Sequence, residues 1–240
     1  MSSRITCEVR TTAPVAVVRL AGALHLGTMR SVHRALSDAL VDQPEALVVD
    51  MAEVSVEDRL ALSVFAATAR RAEEWPAVPV VLCAPSPVAA RWLAESTTCR
   101  VVPVTADCAE ATRMAGATLR MRARLEPVAE ACRRARELVT DACARWNLPD
   151  AAGPAALVLS ELVGNVVRHA GTPMQVTVTL RRPYLHLAVV DGSSAQAQPG
   201  GTDLHAEGGR GLMLVRELAQ RWGSVPAGQG KAVWAMLPAT

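Results

Sequence analysis

Glu161, Asn165 and His169 stand at i, i+4 and i+8, so a helix would set a carboxylate, a carboxamide and an imidazole along one face. Leu157, Val158, Leu159, Leu162, Val163, Val166 and Val167 surround them and demand burial on most other sides. Such a stripe reads either as a site or as the wet edge of a half-buried helix. Farther on, Glu207-Gly208-Gly209-Arg210-Gly211-Leu212 opens an amphipathic run from Leu212 to Trp222. Glycines ahead of a helix N-terminus let backbone N–H groups approach a phosphate, and the helix end favours negative charge there. The chemistry on offer is phosphate binding beside an acid and an amide.

The elements that must position these groups are legible around them. A helix is expected over residues 153–170. Leu185-His186-Leu187-Ala188-Val189-Val190 alternates, then runs apolar into Asp191-Gly192-Ser193-Ser194, as a buried strand ending in an acid at a turn. Residues 192–208, rich in Gly, Gln and Pro, read as a flexible loop. Lys231 is the only lysine in a chain that otherwise uses arginine. Its compact ammonium differs from a planar guanidinium, so it reads either as a site residue or as an ordinary strand-start cation.

In this order the pieces resemble the GHKL ATPase superfamily, the Bergerat-fold group, and within it the anti-sigma-factor serine kinases. The family's N-box, Glu-Leu-x-x-Asn-x-x-x-His, is matched by Glu161, Leu162, Asn165 and His169. The resemblance implies that Glu161 is the general base and that Asn165 reaches a Mg²⁺ bridging the triphosphate of ATP. His169 would orient near the phosphates or cap its helix. Asp191 would bond the adenine amino group, with Ser193 standing where the family's first glycine is expected. Gly209, Arg210, Gly211 and Leu212 match the second glycine box, beside the phosphates. Arg168 and Arg210 are either phosphate neighbours or solvated. Residues 230–237 look like the closing strand of small actinobacterial ATP-binding regulators.

The first half alternates strands and helices, which argues for a mostly parallel sheet with helical cover. Strands are expected at 5–10, 15–22, 46–50, 78–83 and 101–104. Helices are expected at 28–40, 60–72, 87–94 and 106–119. This order, with Val15 to Gly22 followed by Leu47-Val48-Val49-Asp50, resembles the STAS domain of anti-sigma-factor antagonists. The fold class is thus α/β, an N-terminal STAS-like mixed sheet with helices and a C-terminal Bergerat-fold α/β sandwich. The family's phosphorylatable Asp-Ser-Ser-Gly-Leu aligns with Asp58-Arg59-Leu60-Ala61-Leu62. The acceptor position is therefore Leu60, which has no hydroxyl, and Ser55 and Ser63 sit out of register.

With 240 residues the chain suits two domains of near-equal size. The expected boundaries are 1–119 for the STAS-like domain, 120–126 for a linker and 127–240 for the ATPase domain. Pro127 suits the start of a helix over 128–146, which Asn147-Leu148-Pro149 ends. No apolar run approaches the ~20 residues that span a bilayer, and the N-terminus lacks a signal-peptide pattern, so no membrane partner and a cytoplasmic setting are expected. Six cysteines (7, 83, 99, 108, 132, 143) show no metal-ligand spacing and read as reduced. Net charge is +2, spread over 12 basic and 13 acidic residues in 1–120 and 13 and 10 in 121–240, so neither half is a nucleic-acid footprint. Arg120, Arg122, Arg124, Arg133, Arg134 and Arg136 read as a linker plus a solvated helix face, or as a protein-docking surface.

The reading is an ATP-binding regulatory protein of the anti-sigma-factor serine/threonine kinase type. It would act in partner switching on a STAS-domain antagonist or a sigma factor. The alternative is a catalytically inactive, ATP-gated module that sequesters such a partner, and a third is a nucleotide-independent interaction protein. Contact in cis between the two halves and a homodimer are both compatible with the resemblance.

Overall fold

The computed structural model describes residues 4–12, 14–115, 119–194, 209–228 and 230–239. They fall into two compact units, Met1–Thr118 and Leu119–Thr240.

In the first unit, β1 (Ile5–Thr12) and β2 (Val15–Leu24) pair antiparallel, and α1 (Met29–Val41) leads to β3 (Ala46–Val56), parallel to β2. A 3₁₀ turn at Arg59–Leu62 runs into α2 (Ser63–Glu74), then β4 (Val80–Cys83), α3 (Pro87–Glu95), β5 (Val104–Thr105) and α4 (Cys108–Ala115). The sheet order is β1-β2-β3-β4-β5, mixed through its single antiparallel edge pair. Strand β3 is central and buried from Ala46 through Met51. A parallel strand covered on both faces reads as a continuous apolar run rather than an alternating one. The strand expected at 101–104 shrinks to Val104–Thr105, and the last helix is described over Cys108–Ala115.

Asp58 caps the 3₁₀ turn, its Oδ1 accepting from the Leu60 N–H at 2.8 Å. Leu60 itself is 69% exposed. Ser63 opens α2, and its hydroxyl donates to the Leu60 carbonyl at 2.7 Å.

The cysteines depart from expectation. Cys83, at the end of β4, and Cys108, at the start of α4, form a disulfide. Sequence spacing alone could not find this pair, because the pairing of β5 beside β4 brings the start of α4 to the end of β4. Cys7, Cys99, Cys132 and Cys143 are free thiols. Burial pushes the Cys7 and Cys143 thiols up from their usual range.

The second unit runs β6 (Leu119–Leu125), α5 (Ala131–Arg145), α6 (Pro149–Asn165), a π-helical turn at Val166–Ala170, β7 (Met174–Arg181), β8 (Tyr184–Asp191), α7 (Gly209–Leu218), β9 (Arg221–Ala227) and β10 (Gly230–Pro238). Its sheet has the order β6-β7-β8-β10-β9 and is antiparallel throughout. Residues 120–125 of the expected linker are thus strand, paired with β7 over its full length. Arg120 donates from Nε to the Thr179 hydroxyl across that pair at 3.1 Å. Arg133 pairs along its own helix with Glu130 and Glu137. Asn147 ends α5 in the left-handed region (φ 55°), and Pro149 fills the first turn of α6, where its missing N–H is not needed.

One face of this sheet meets the helices in strict alternation. Val176, Val178 and Leu180 of β7 face the same core as Leu185, Leu187 and Val189 of β8 and Val233, Ala235 and Leu237 of β10. Val158, Leu159, Leu162 and Val163 of α6 close it from above. Pro149–Ala170 is apolar and long enough to cross a membrane by composition, but its buried residues belong to this core. The helix expected to reach Trp222 ends at Leu218, because the Gln220 N–H pairs with the Met236 carbonyl and begins β9.

Closing the 25-residue separation between Cys83 and Cys108 should stabilise the first unit by about 3 kcal/mol in the chain-entropy account. Urea denaturation of wild type and Cys108→Ser, with and without reductant, measures this. Equal midpoints in all four would show that the bond does not form. Thiol labelling of the folded chain should modify exposed Cys99 first and buried Cys143 last.

Candidate functional site

The alternation along β8 carries Asp191 to the end of the helix-facing row Leu185, Leu187, Val189. Antiparallel register sets Lys231 of β10 directly opposite. The Asp191 side chain is fully buried, and the Lys231 ammonium meets its Oδ1 at 3.0 Å. The Ser193 N–H also donates to Oδ1, at 2.7 Å. Oδ2 is buried and has no hydrogen-bond partner among the described residues. A buried carboxylate oxygen left unpaired costs free energy unless something else is meant to meet it.

Ser193 therefore contributes a backbone N–H, which any residue but proline can supply. Its φ is not positive, so this turn does not require the glycine expected there. Thr172, absent from the sequence reading, braces the turn from the other side by accepting the Gly192 N–H at 3.0 Å. Its only sequence signal was the Gly171-Thr172-Pro173 turn composition.

On α6, Glu161 and Asn165 are half-buried one turn apart. The helix then widens, and the Gly171 N–H, with φ 61°, bonds five residues back to the Val166 carbonyl at 2.8 Å. Such π-turns recur at functional sites. The α-period therefore does not continue to His169, which is exposed. Arg168, itself exposed, folds back along the helix: Nη2 lies 3.0 Å from Asn165 Oδ1 and 3.7 Å from Glu161 Oε2. An ion pair this exposed and long contributes little stability. Its interest is that a cation already sits between the two oxygen donors.

The Glu161 carboxylate also packs directly on Gly211 in the first turn of α7, where a Cβ would collide with Oε2. Gly211 is thus needed for that approach rather than for its φ. Leu212 is buried beside it. Gly209 and Arg210 begin α7; the Arg210 side chain and residues 195–208 of the expected loop lie outside the described residues. The structure thus brings Glu161, Asn165, Arg168 and Gly211 together, and separately Asp191, Ser193 and Lys231.

Comparison with known proteins bears on both units. Residues 121–237 match the family described as Histidine kinase-like ATPase domain, and residues 6–111 match the STAS domain. The chain joins a STAS domain to a histidine kinase-like ATPase domain. No curated protein matches it. Among solved structures, an anti-sigma factor antagonist from Mycobacterium paratuberculosis is 22% identical, over 47% of this chain and 94% of that one, with TM-score 0.42. The anti-sigma factor antagonist SpoIIAA in its unphosphorylated form is 16% identical over 47% and 98%, with TM-score 0.39. The histidine kinase domain of a blue-light activated histidine kinase from Erythrobacter litoralis is 15% identical over 89% and 94%, with TM-score 0.30.

An ATPase domain implies ATP binding, and the chemistry of this one fits that ligand. The unpaired Asp191 Oδ2 is an acceptor suited to an amine. Oxygen donors at Glu161 and Asn165, already drawing a guanidinium, suit a hard cation such as Mg²⁺.

Gly211→Ala should leave the ATPase domain folded, since alanine favours a helix by about 0.8–1 kcal/mol over glycine. It should nonetheless push the Glu161 carboxylate away and lower nucleotide turnover at least tenfold. A thermal melt beside a turnover assay separates the two effects. Unchanged turnover would show that the Glu161–Gly211 contact has no part in the chemistry.

Proposed function

We propose that the ATPase domain binds Mg²⁺-ATP and phosphorylates a serine or threonine of a protein partner, as an anti-sigma-factor kinase acting in partner switching. The observation that carries this reading is the Glu161 carboxylate seated against Gly211 in the first turn of α7. A proton acceptor there stands beside backbone N–H groups suited to phosphate.

In this reading Asp191 accepts from the adenine amino group, and Ser193 holds the carboxylate through its N–H. Gly209, Arg210, Gly211 and Leu212 form the phosphate end, with Arg168 and His169 at its rim. Asn165 would hold Mg²⁺, which when bound supplies charge that offsets the developing charge on the transferring phosphoryl group. Glu161 takes the proton from the partner's hydroxyl as its oxygen bonds to the γ-phosphorus, and the bond to the bridging oxygen breaks to leave ADP.

The partner in this reading is a STAS-domain antagonist or a sigma factor. A STAS domain joined to a histidine kinase-like ATPase domain fits partner-switching regulators. The chain's own STAS domain is a poor substrate at the family's acceptor position, because exposed Leu60 offers no hydroxyl. That same observation favours the second reading, an ATP-gated module that sequesters its partner without transferring phosphate. The setting proposed is the cytoplasm.

Glu161→Gln separates the two. In the kinase reading it should slow phosphate transfer to a STAS-domain substrate by about 10²–10⁴-fold while ATP affinity stays within severalfold. Transfer followed with γ-labelled ATP measures this. Equal transfer by both proteins would remove Glu161 as base, and no transfer by wild type to any STAS or sigma-factor substrate would favour the gated binder.

A further inference from the structure

Lys231 is the chain's single lysine, and it is spent on a carboxylate that is fully buried. Its ammonium is itself mostly buried, with the side chain 12% exposed. It reaches Asp191 Oδ1 at 3.0 Å and the Ser193 carbonyl at 3.5 Å. Together with the Ser193 N–H at 2.7 Å, this fills Oδ1 with donors and leaves Oδ2 without a hydrogen-bond partner among the described residues. Two charges removed from water in this way are costly unless well paired, and stripping one partner leaves the other strongly destabilised.

What the free oxygen can do in a hydrogen bond decides which purine the site can read. An ionised carboxylate only accepts hydrogen bonds, whereas a carboxylic acid also donates one. An acceptor-only Oδ2 pairs with a 6-amino group and opposes the lone pairs of a 6-oxo group. We propose that Lys231 is the specificity-determining residue of the nucleotide site. Its ammonium holds Oδ1 and so orients the free acceptor Oδ2 toward the ligand, which selects 6-aminopurine over 6-oxopurine nucleotides. This rests on the reading of the second unit as an ATP site. Lys231 acts through Asp191 and is therefore a positioning residue.

The test is calorimetric titration of the full chain with Mg²⁺-ATP and with Mg²⁺-ITP, whose base carries a 6-oxo group. Wild type should prefer ATP by at least about tenfold, the worth of one hydrogen bond to a charged group. Lys231→Met keeps the aliphatic stem and removes the charge, and it should bring the two affinities to within about threefold. Lys231→Arg restores the charge and should restore the preference. A merely structural lysine would weaken both nucleotides together and leave their ratio unchanged, so an unchanged ratio in Lys231→Met overturns the inference while ATP binding stands. Wild type binding neither nucleotide overturns the ATP reading and this inference with it.

Should Lys231→Met fail to fold, wild type still decides. Labelling lysine with ¹⁵N gives one side-chain signal, from Lys231. A hydrogen-bonded, slowly exchanging ammonium that shifts on adding Mg²⁺-ATP is expected. A signal exchanging with water like a free ammonium, indifferent to nucleotide, would overturn the proposal.

Discussion

A fully buried carboxylate at the end of a central strand is the constraint on which the second unit depends. The row Leu185, Leu187, Val189 places Asp191 on the helix-facing side of the sheet, at the margin of an apolar core. Water cannot solvate it there, so the fold supplies Lys231 across the strand pair and the Ser193 N–H from the following turn. Lys231 depends on register. A one-residue slip of β10 would turn Lys231 to the other face of the sheet and bring a neutral side chain opposite. The apolar alternation that builds the core is thus also what aligns the ion pair.

The second group depends on helix packing rather than strand register. Val158, Leu159, Leu162 and Val163 press α6 onto the sheet and leave Glu161 and Asn165 on the half-exposed flank. Leu212 and Val215 fix α7 beside it, and glycine at 211 permits the Glu161 carboxylate to reach the first turn. The π-turn that follows ends the regular stripe and admits Arg168 to the oxygen pair. In the reading advanced here, a cation placed there anticipates the charge pattern of a bound triphosphate.

Much of this was legible in the residues. The spacing of Glu161 and Asn165, the strand ending at Asp191 and the glycines before Leu212 are local patterns, and local patterns survive folding. Lys231 drew notice as the sole lysine, but its partner depends on pairing across 40 residues, which composition does not encode. Gln175 to Leu180 alternates as β7 requires, whereas the first two residues of β9, Arg221 and Trp222, continue the amphipathic pattern of the preceding helix. The strand β6 was hidden by its charge: Arg120, Arg122 and Arg124 alternate with Met121 and Ala123, as an edge strand with one wet face does. The disulfide and the π-turn were equally beyond reach, one being a tertiary contact and the other a backbone choice that side-chain identity does not announce.

The central claim is that Asp191 offers its unpaired oxygen to an amine on the ligand. Asp191→Asn tests it most directly, since its amide oxygen can stay on Lys231 while its NH₂ meets the ligand amine, donor against donor. Calorimetric titration with Mg²⁺-ATP should show saturable binding to wild type and at least about tenfold weaker binding to the variant. Equal affinity for both proteins, with both folded, would contradict the account.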